Sequence, residues 1–163
     1  MAITISKNKF NRGAGLIEIL VVIFLVVVGL VALLDLAALA LKVSAINKQT
    51  VQANNLALEA IEAMRVFRDG TDWDVDGLGV LDIDVVYSVQ KTAGNPPEWQ
   101  FVSGEEEIDN FTRQVVFGRV FRDVLTDDIA DAGAEDAKTR KATVTVSWAD
   151  KEIQLITYLT DWK

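Results

Sequence analysis

Leu16-Ile17-Glu18-Ile19-Leu20-Val21-Val22-Ile23-Phe24-Leu25-Val26-Val27-Val28-Gly29-Leu30-Val31-Ala32-Leu33-Leu34 runs for nineteen residues with a single charge, Glu18. As a helix rising ~1.5 Å per residue it would measure roughly 28 Å, close to the ~30 Å hydrocarbon core of a bilayer. A secretory signal peptide has a shorter apolar core of about 7–15 residues, followed by small residues at its cleavage site. Here the apolar stretch resumes from Leu36 to Leu41 after one acid, Asp35. A membrane-spanning helix is the reading that fits this length.

The flanks give the span a direction. Upstream, Lys7, Lys9 and Arg12 stand without any acid. Downstream, residues 42–163 hold 13 basic and 22 acidic residues. Under the positive-inside rule the basic leader stays cytoplasmic and the acidic part crosses, so a single-pass, N-in protein of the inner membrane is expected. Across all 163 residues the net charge is −8, which argues against coating nucleic acid. With no Cys and no His, disulfides, thiolate nucleophiles, Cys/His zinc sites and imidazole general bases are excluded. No recognisable catalytic set remains, and the chain is not expected to be an enzyme.

Glu18 is the anomaly in the span. Near a helix centre a carboxylate costs about 2.5–3.5 kcal/mol, and less toward the interface. It reads either as a snorkelling boundary residue or as a functional acid. Asp35 lies roughly 31 Å of helix beyond Ala14, at the far edge of a bilayer. It reads as a boundary residue, with a role in subunit contacts as the alternative.

Arg12-Gly13-Ala14-Gly15-Leu16-Ile17-Glu18-Ile19-Leu20 resembles the class III leader of type IV prepilins and type II secretion pseudopilins. That family carries a short basic leader, a Gly, the cut, then an apolar residue, Thr, Leu, Ile and Glu. This chain departs at Ala14, where Phe or Met is usual, and at Gly15, where Thr is usual. The resemblance implies that prepilin peptidase cuts between Gly13 and Ala14 and methylates the new amine of Ala14. It also implies that Glu18 pairs with the N-terminal amine of a neighbouring subunit during assembly. The expected activity is that of a structural subunit, a minor type IV pilin. A minor pseudopilin of a type II secretion or DNA-uptake machine is the alternative, and a membrane-anchored periplasmic enzyme or binding protein stands further off. The implied partners are other pilin or pseudopilin subunits, the peptidase/methyltransferase, an inner-membrane assembly platform, and the lipid bilayer before assembly. The mature subunit would end in a periplasmic or cell-surface filament.

Beyond the span, Ala53, Ala57, Ala60, Ile61, Met64 and Phe67 keep helical spacing, while Gln52, Asn55, Glu59, Glu62 and Arg65 stay polar. No Gly or Pro interrupts Leu30 to Asp69, and Asp69-Gly70 is the first stop signal. One helix of about 55 residues is predicted, far beyond the ~11–12 usual in soluble domains. Many major pilins have Pro at the mature position matching Asp35, and this chain has none before Pro96. The organisation predicted is a leader (1–13, removed), a transmembrane or filament-core half-helix (14–41), an amphipathic half (42–69) and a β-rich head (70–163).

In the head the period changes. Gly79 to Gln90, Glu98 to Val102 and Phe111 to Phe121 read as strands, the last alternating through Val115, Phe117, Arg119 and Phe121. Ala142, Val144, Val146 and Trp148 alternate with Thr143, Thr145 and Ser147, and after the turn Ala149-Asp150-Lys151 the segment Glu152 to Thr160 returns as their partner. Asn95-Pro96-Pro97, Glu105-Glu106-Glu107 and Asp123 to Asp136 read as solvated loops, and Arg113, Arg119 and Arg122 as surface ion-pair formers. The fold expected is α+β: the long helix packed on an antiparallel sheet of four or five strands, as in type IV pilins. The four Trp residues are expected between helix and sheet rather than on a stacking surface.

One motif suggests metal chemistry. Asp72-Trp73-Asp74-Val75-Asp76-Gly77 fits the first half of an EF-hand loop, with alternate carboxylates for a hard cation and a Gly for the sharp turn. Its second half fails, with Val80 and Ile83 at the ninth and twelfth positions. A solvated acidic turn is expected and no cofactor; the alternative is a calcium site of another kind through Asp72, Asp74 and Asp76, joined by Asp82 or Asp84.

Overall fold

The computed structural model describes residues 12–163, with side-chain surroundings from Gly15 onward. Lys7 and Lys9 of the expected leader, and the surroundings of Arg12, Gly13 and Ala14, lie outside the described residues. The chain divides into two compact units, 1–48 and 49–163. One helix, α1 (Arg12–Gly70, 59 residues), contributes to both and runs without a break through Asp35. It stops at the predicted Gly70.

In the first unit α1 is an apolar rod. Every large apolar side chain from Leu16 to Leu41 is at least 50 % exposed. Its most apolar 18-residue window reaches a mean hydropathy of 3.2 with none of it buried. The helix is long and apolar enough to cross a membrane, and among the described residues nothing in its own unit covers it.

The second unit holds the core. Along 49–70, α1 buries Ala53, Ala57, Ala60, Ile61 and Met64 of the predicted stripe and Ala63 beside them, while Phe67 is half-buried against the core. Small Ala residues let the helix lie close on the sheet, and the larger Ile61 and Met64 fill the space toward its end. The sheet is antiparallel, in the order β2 (Trp99–Ser103), β1 (Val86–Lys91), β4 (Phe111–Gly118), β8 (Thr139–Trp148), β9 (Lys151–Thr160). A sixth strand, β3 (Glu106–Ile108), pairs with the start of β4 along the edge that β1 takes further on. The helix-facing side is a grid: Arg113 opposite Val146, Val115 opposite Val144, and Phe117 opposite Ala142. Phe67, Phe101 and Phe117 stack edge to face across the layers, with ring centroids 5.0 and 5.4 Å apart. The β8–β9 hairpin matches its prediction, turning at Ala149-Asp150 with Ala149 at φ +47°.

The sheet has one strand more than expected, and a second, three-stranded sheet stands beside it: β6 (Ile129–Ala130), β5 (Phe121–Arg122), β7 (Ala134–Glu135). This corrects two readings. The strand predicted to run to Phe121 ends at Gly118, because keeping its alternation would bury the Arg119 charge. Val120 is buried instead, a one-residue shift that carries the chain into the small sheet. The acidic stretch 123–136 is therefore partly paired. Gly133 sits at φ +150° against the Arg122 carbonyl, where a Cβ would collide. A third correction concerns 79–90. Leu78–Val80 is a single 3-10 turn that buries Leu78, and the strand begins only at Val86. Asp84, at φ +60°, turns the chain and donates its N–H to the Phe117 carbonyl at 2.9 Å.

Candidate functional site

The expected cut between Gly13 and Ala14 falls in the first turn of α1. Glu18 lies four residues on, exposed on the apolar rod. No cation stands within ion-pair distance of it among the described side chains. Nor does Asp35 find one, roughly 25 Å further along the axis. The helix thus carries two bare carboxylates at opposite ends of a greasy surface. In water this is unremarkable. In hydrocarbon each charge would need a partner or proximity to the interface.

The Asp72–Gly77 turn spends its carboxylates internally. Asp76 Oδ1 accepts from the Asp72 N–H at 2.8 Å, and Asp72 Oδ1 accepts from the Asp74 N–H at 3.1 Å. Asp74 Oδ2 pairs with Lys138 Nζ at 2.7 Å. Gly77 is required by close approach, since a Cβ there would stand 2.6 Å from the Asp72 carbonyl oxygen. Among the described residues no three acids gather around a common point that could hold a metal. The turn's own N–H groups and Lys138 thus engage these carboxylates, and Asp84 turns the next bend of the chain. Millimolar calcium is accordingly expected to leave the melting temperature of a 42–163 fragment unchanged. A rise of several degrees would show that these carboxylates can be recruited.

The same turn anchors a clasp that sequence reading missed. Lys138 bridges Asp74 and Asp161, the latter at 3.0 Å. Lys163 Nζ donates to the carbonyls of Asp69 and Thr71 at 2.6 and 3.0 Å, satisfying groups at the end of α1, and Trp162 Nε1 donates to Asp69 Oδ1 at 3.1 Å. Hydrogen bonds from Arg68 and then Trp162 hold the Asp69 carboxyl below the ordinary 3.8, and the Lys138 bond does the same for Asp161. Bonds to Asp74 and Asp161 raise Lys138 above 10.5. Burial would raise Asp136, but hydrogen bonds from Arg122, Thr139 and the Lys138 N–H outweigh it and lower that carboxyl.

The signs give a pH profile. Depressed carboxyls stabilise the fold above 3.8, and that contribution is lost as pH falls through their lower folded values. The raised Lys138 stabilises below 10.5 and loses its contribution as pH climbs through its higher folded value. The fragment's melting temperature should be flat between about pH 5 and 9 and fall on both sides. Lys138→Met should shallow the acid limb by removing the partner of Asp161; an unchanged acid limb would contradict the assignment.

Arg113 overturns two expectations. It is not a surface residue but 2 % exposed, on the inward face of β4. Its Nε and Nη2 both bond Glu106 Oε2, at 3.1 and 2.6 Å, and Glu59 Oε2 lies 3.6 Å from Nη1. Nη1 also donates to the Leu56 carbonyl at 3.0 Å, and Nη2 to that of Val89 at 3.3 Å. One guanidinium thus joins α1, β1, β3 and β4, and Glu106, expected in a solvated loop, becomes its half-buried counter-charge. The signal was present in the spacing, since Arg113 shares the parity of Phe111, Val115 and Phe117. Arg119 and Arg122 do pair near the surface, with Glu135 at 3.5 Å and Asp136 at 2.7 Å.

Trp73 and Trp148 are buried in the core; Trp99 is half-buried beneath the Lys91 ammonium, 4.6 Å from its ring, and Trp162 is exposed. The expectation of packing holds for Trp73 and Trp148 and, at the edge of the core, for Trp99, while Trp162 belongs to the clasp. No family model, no curated protein and no solved structure matches the chain.

Proposed function

We propose that this chain is a structural subunit of a type IV pilus-like filament, a minor pilin that acts by assembly rather than by catalysis. The observation that carries the reading is the bare Glu18 carboxylate on an otherwise apolar, uncovered helix, four residues after an Ala that follows Gly13. Three further features support it: the basic Lys7, Lys9 and Arg12 ahead of the Gly, the unbroken 59-residue helix, and a second unit that packs its own stretch of that helix on an antiparallel sheet.

On this reading the precursor sits in the inner membrane with its basic end inside. Prepilin peptidase removes residues 1–13 and methylates Ala14. The rod from Ala14 to Leu41 then leaves lipid for a bundle of like rods. Apolar side chains that faced lipid face neighbouring helices, so little hydrophobic driving force is gained, and packing and charge pairing must select the assembled state. Glu18 supplies that selection: in a low-dielectric bundle it is stable only beside a cation, and the N-terminal amine of a neighbouring subunit is the cation at the matching height.

The test is fractionation. When the chain is expressed with the partner subunits and assembly platform of its own cell, shearing should release part of it with filaments. Complete retention in the membrane under conditions that release other subunits would count against the proposal.

A further inference from the structure

Between Gly15 and Lys48 the rod carries only four charged residues, Glu18, Asp35, Lys42 and Lys48. Glu18 has a role in the assembly described above, but Asp35 and Lys42 have none. Both are exposed on unbroken helix, and the residues between them, Leu36 to Leu41, are all apolar. Seven residues is about 10.5 Å of rise and within ~20° of two full turns, so acid and base lie on one stripe of the helix. Side chains on a helix pair at three or four residues, and seven is too far. Lys48 lies roughly 20 Å beyond Asp35 and about 140° round the axis, on another face.

At the far edge of a bilayer water can reach both Asp35 and Lys42. In a bundle of rods that water is gone, and each charge needs an opposite one. The stripe meets this need with a second copy of itself in one arrangement only. In register, Asp35 would face Asp35 and Lys42 would face Lys42, and like charges repel. Antiparallel pairing is closed to copies that all enter the membrane with the basic end inside.

We infer that neighbouring copies lie parallel and displaced by about two helical turns, with Asp35 of one against Lys42 of the next. This rests on the reading of the chain as a filament subunit and adds to it the axial step between copies. Each copy spends its Asp35 on one neighbour and its Lys42 on another, so the contact is head-to-tail. A displacement along an axis never closes on itself, and such a contact builds an open array. The step has the same sense as the one that brings an Ala14 amine to Glu18. In both contacts the copy standing further out supplies the lower-numbered residue, Ala14 or Asp35, and the copy behind it supplies Glu18 or Lys42.

The chain has no Cys of its own, so introduced thiols report the contact directly. The full chain carrying Asp35→Cys and Lys42→Cys together is expressed with the partner subunits of its own cell, oxidised with copper phenanthroline, and followed in membrane and sheared fractions. A disulfide needs Cα atoms within about 7 Å, so the two thiols of one helix cannot bond and every bond joins two chains. The double variant should give a ladder of dimers, trimers and longer species, and neither single variant should. Asp35→Lys should cut the sheared fraction about tenfold relative to the membrane fraction, and Asp35→Lys combined with Lys42→Asp should restore it to within a few-fold. Three results would overturn the step and leave the filament reading in place: filaments holding the double variant without such bonds, a dimer from Asp35→Cys alone, or a charge swap that restores nothing. A ladder confined to the membrane would uphold the step and count against the filament. Membrane retention of the unsubstituted chain with no ladder from the double variant would overturn both.

Discussion

Arg113→Ala should lower the stability of the 49–163 unit by about 3–5 kcal/mol, the usual cost of breaking a buried charge network at one partner. The change strands the half-buried Glu106 carboxylate, removes the extra donor that Arg113 gives the Leu56 and Val89 carbonyls, and opens a cavity where helix meets sheet. Against a domain stability of roughly 5–15 kcal/mol this is a large fraction, and a melting temperature lower by roughly 10–20 °C is expected. Arg113→Lys should recover only part of the loss, since an ammonium cannot reach two carbonyls and a carboxylate in one plane. Chemical denaturation of the 42–163 fragment measures both. A loss under about 1 kcal/mol for Arg113→Ala would mean that the network contributes little beyond packing.

Glu18→Gln carries the largest expected effect on assembly. Gln keeps the shape and the hydrogen-bonding groups but removes the charge, so insertion into the membrane should be unaffected or slightly easier. Cleavage after Gly13 should also persist, because on the family pattern the peptidase reads chiefly the Gly. Entry into filaments should fail: a neighbour's ammonium would be left without its counter-charge in a low-dielectric bundle, at a cost of roughly 3–5 kcal/mol, or more than a hundredfold in incorporation. Comparing membrane and sheared fractions of the two forms reads the effect. Normal incorporation of the Gln form would reduce Glu18 to a boundary carboxylate.

What could be read in advance, and what could not, follows from range. The helix stripe of Ala53, Ala57, Ala60, Ile61 and Met64 and the alternation of Ala142, Val144, Val146 and Trp148 are local periodicities, and both emerge as buried faces. The hairpin at Ala149-Asp150 needed only a two-residue break between alternating runs. The small sheet was illegible because its strands are two residues each, too short to show a period. For Arg113 the inward position was legible in its parity with Phe111, Val115 and Phe117, but its partners were not. Its partners Glu106, Glu59, Leu56 and Val89 come from three other elements, and nothing in a linear reading places them around one position. The clasp is equally non-local, joining Asp69 and Asp74 to Lys138, Asp161, Trp162 and Lys163. The Asp72–Gly77 motif shows the converse hazard: a ligand-like spacing whose carboxylates turn out to tie the turn and hold Lys138.

The central claim, that Gly13 and Glu18 mark a processed filament subunit, is tested most directly at the N-terminus of the mature protein. Mass spectrometry of the membrane-extracted chain should find a terminal peptide beginning at Ala14 with its amine methylated and residues 1–13 absent. A terminal peptide that retains Met1, or one cut at another position within the apolar stretch, would contradict the account.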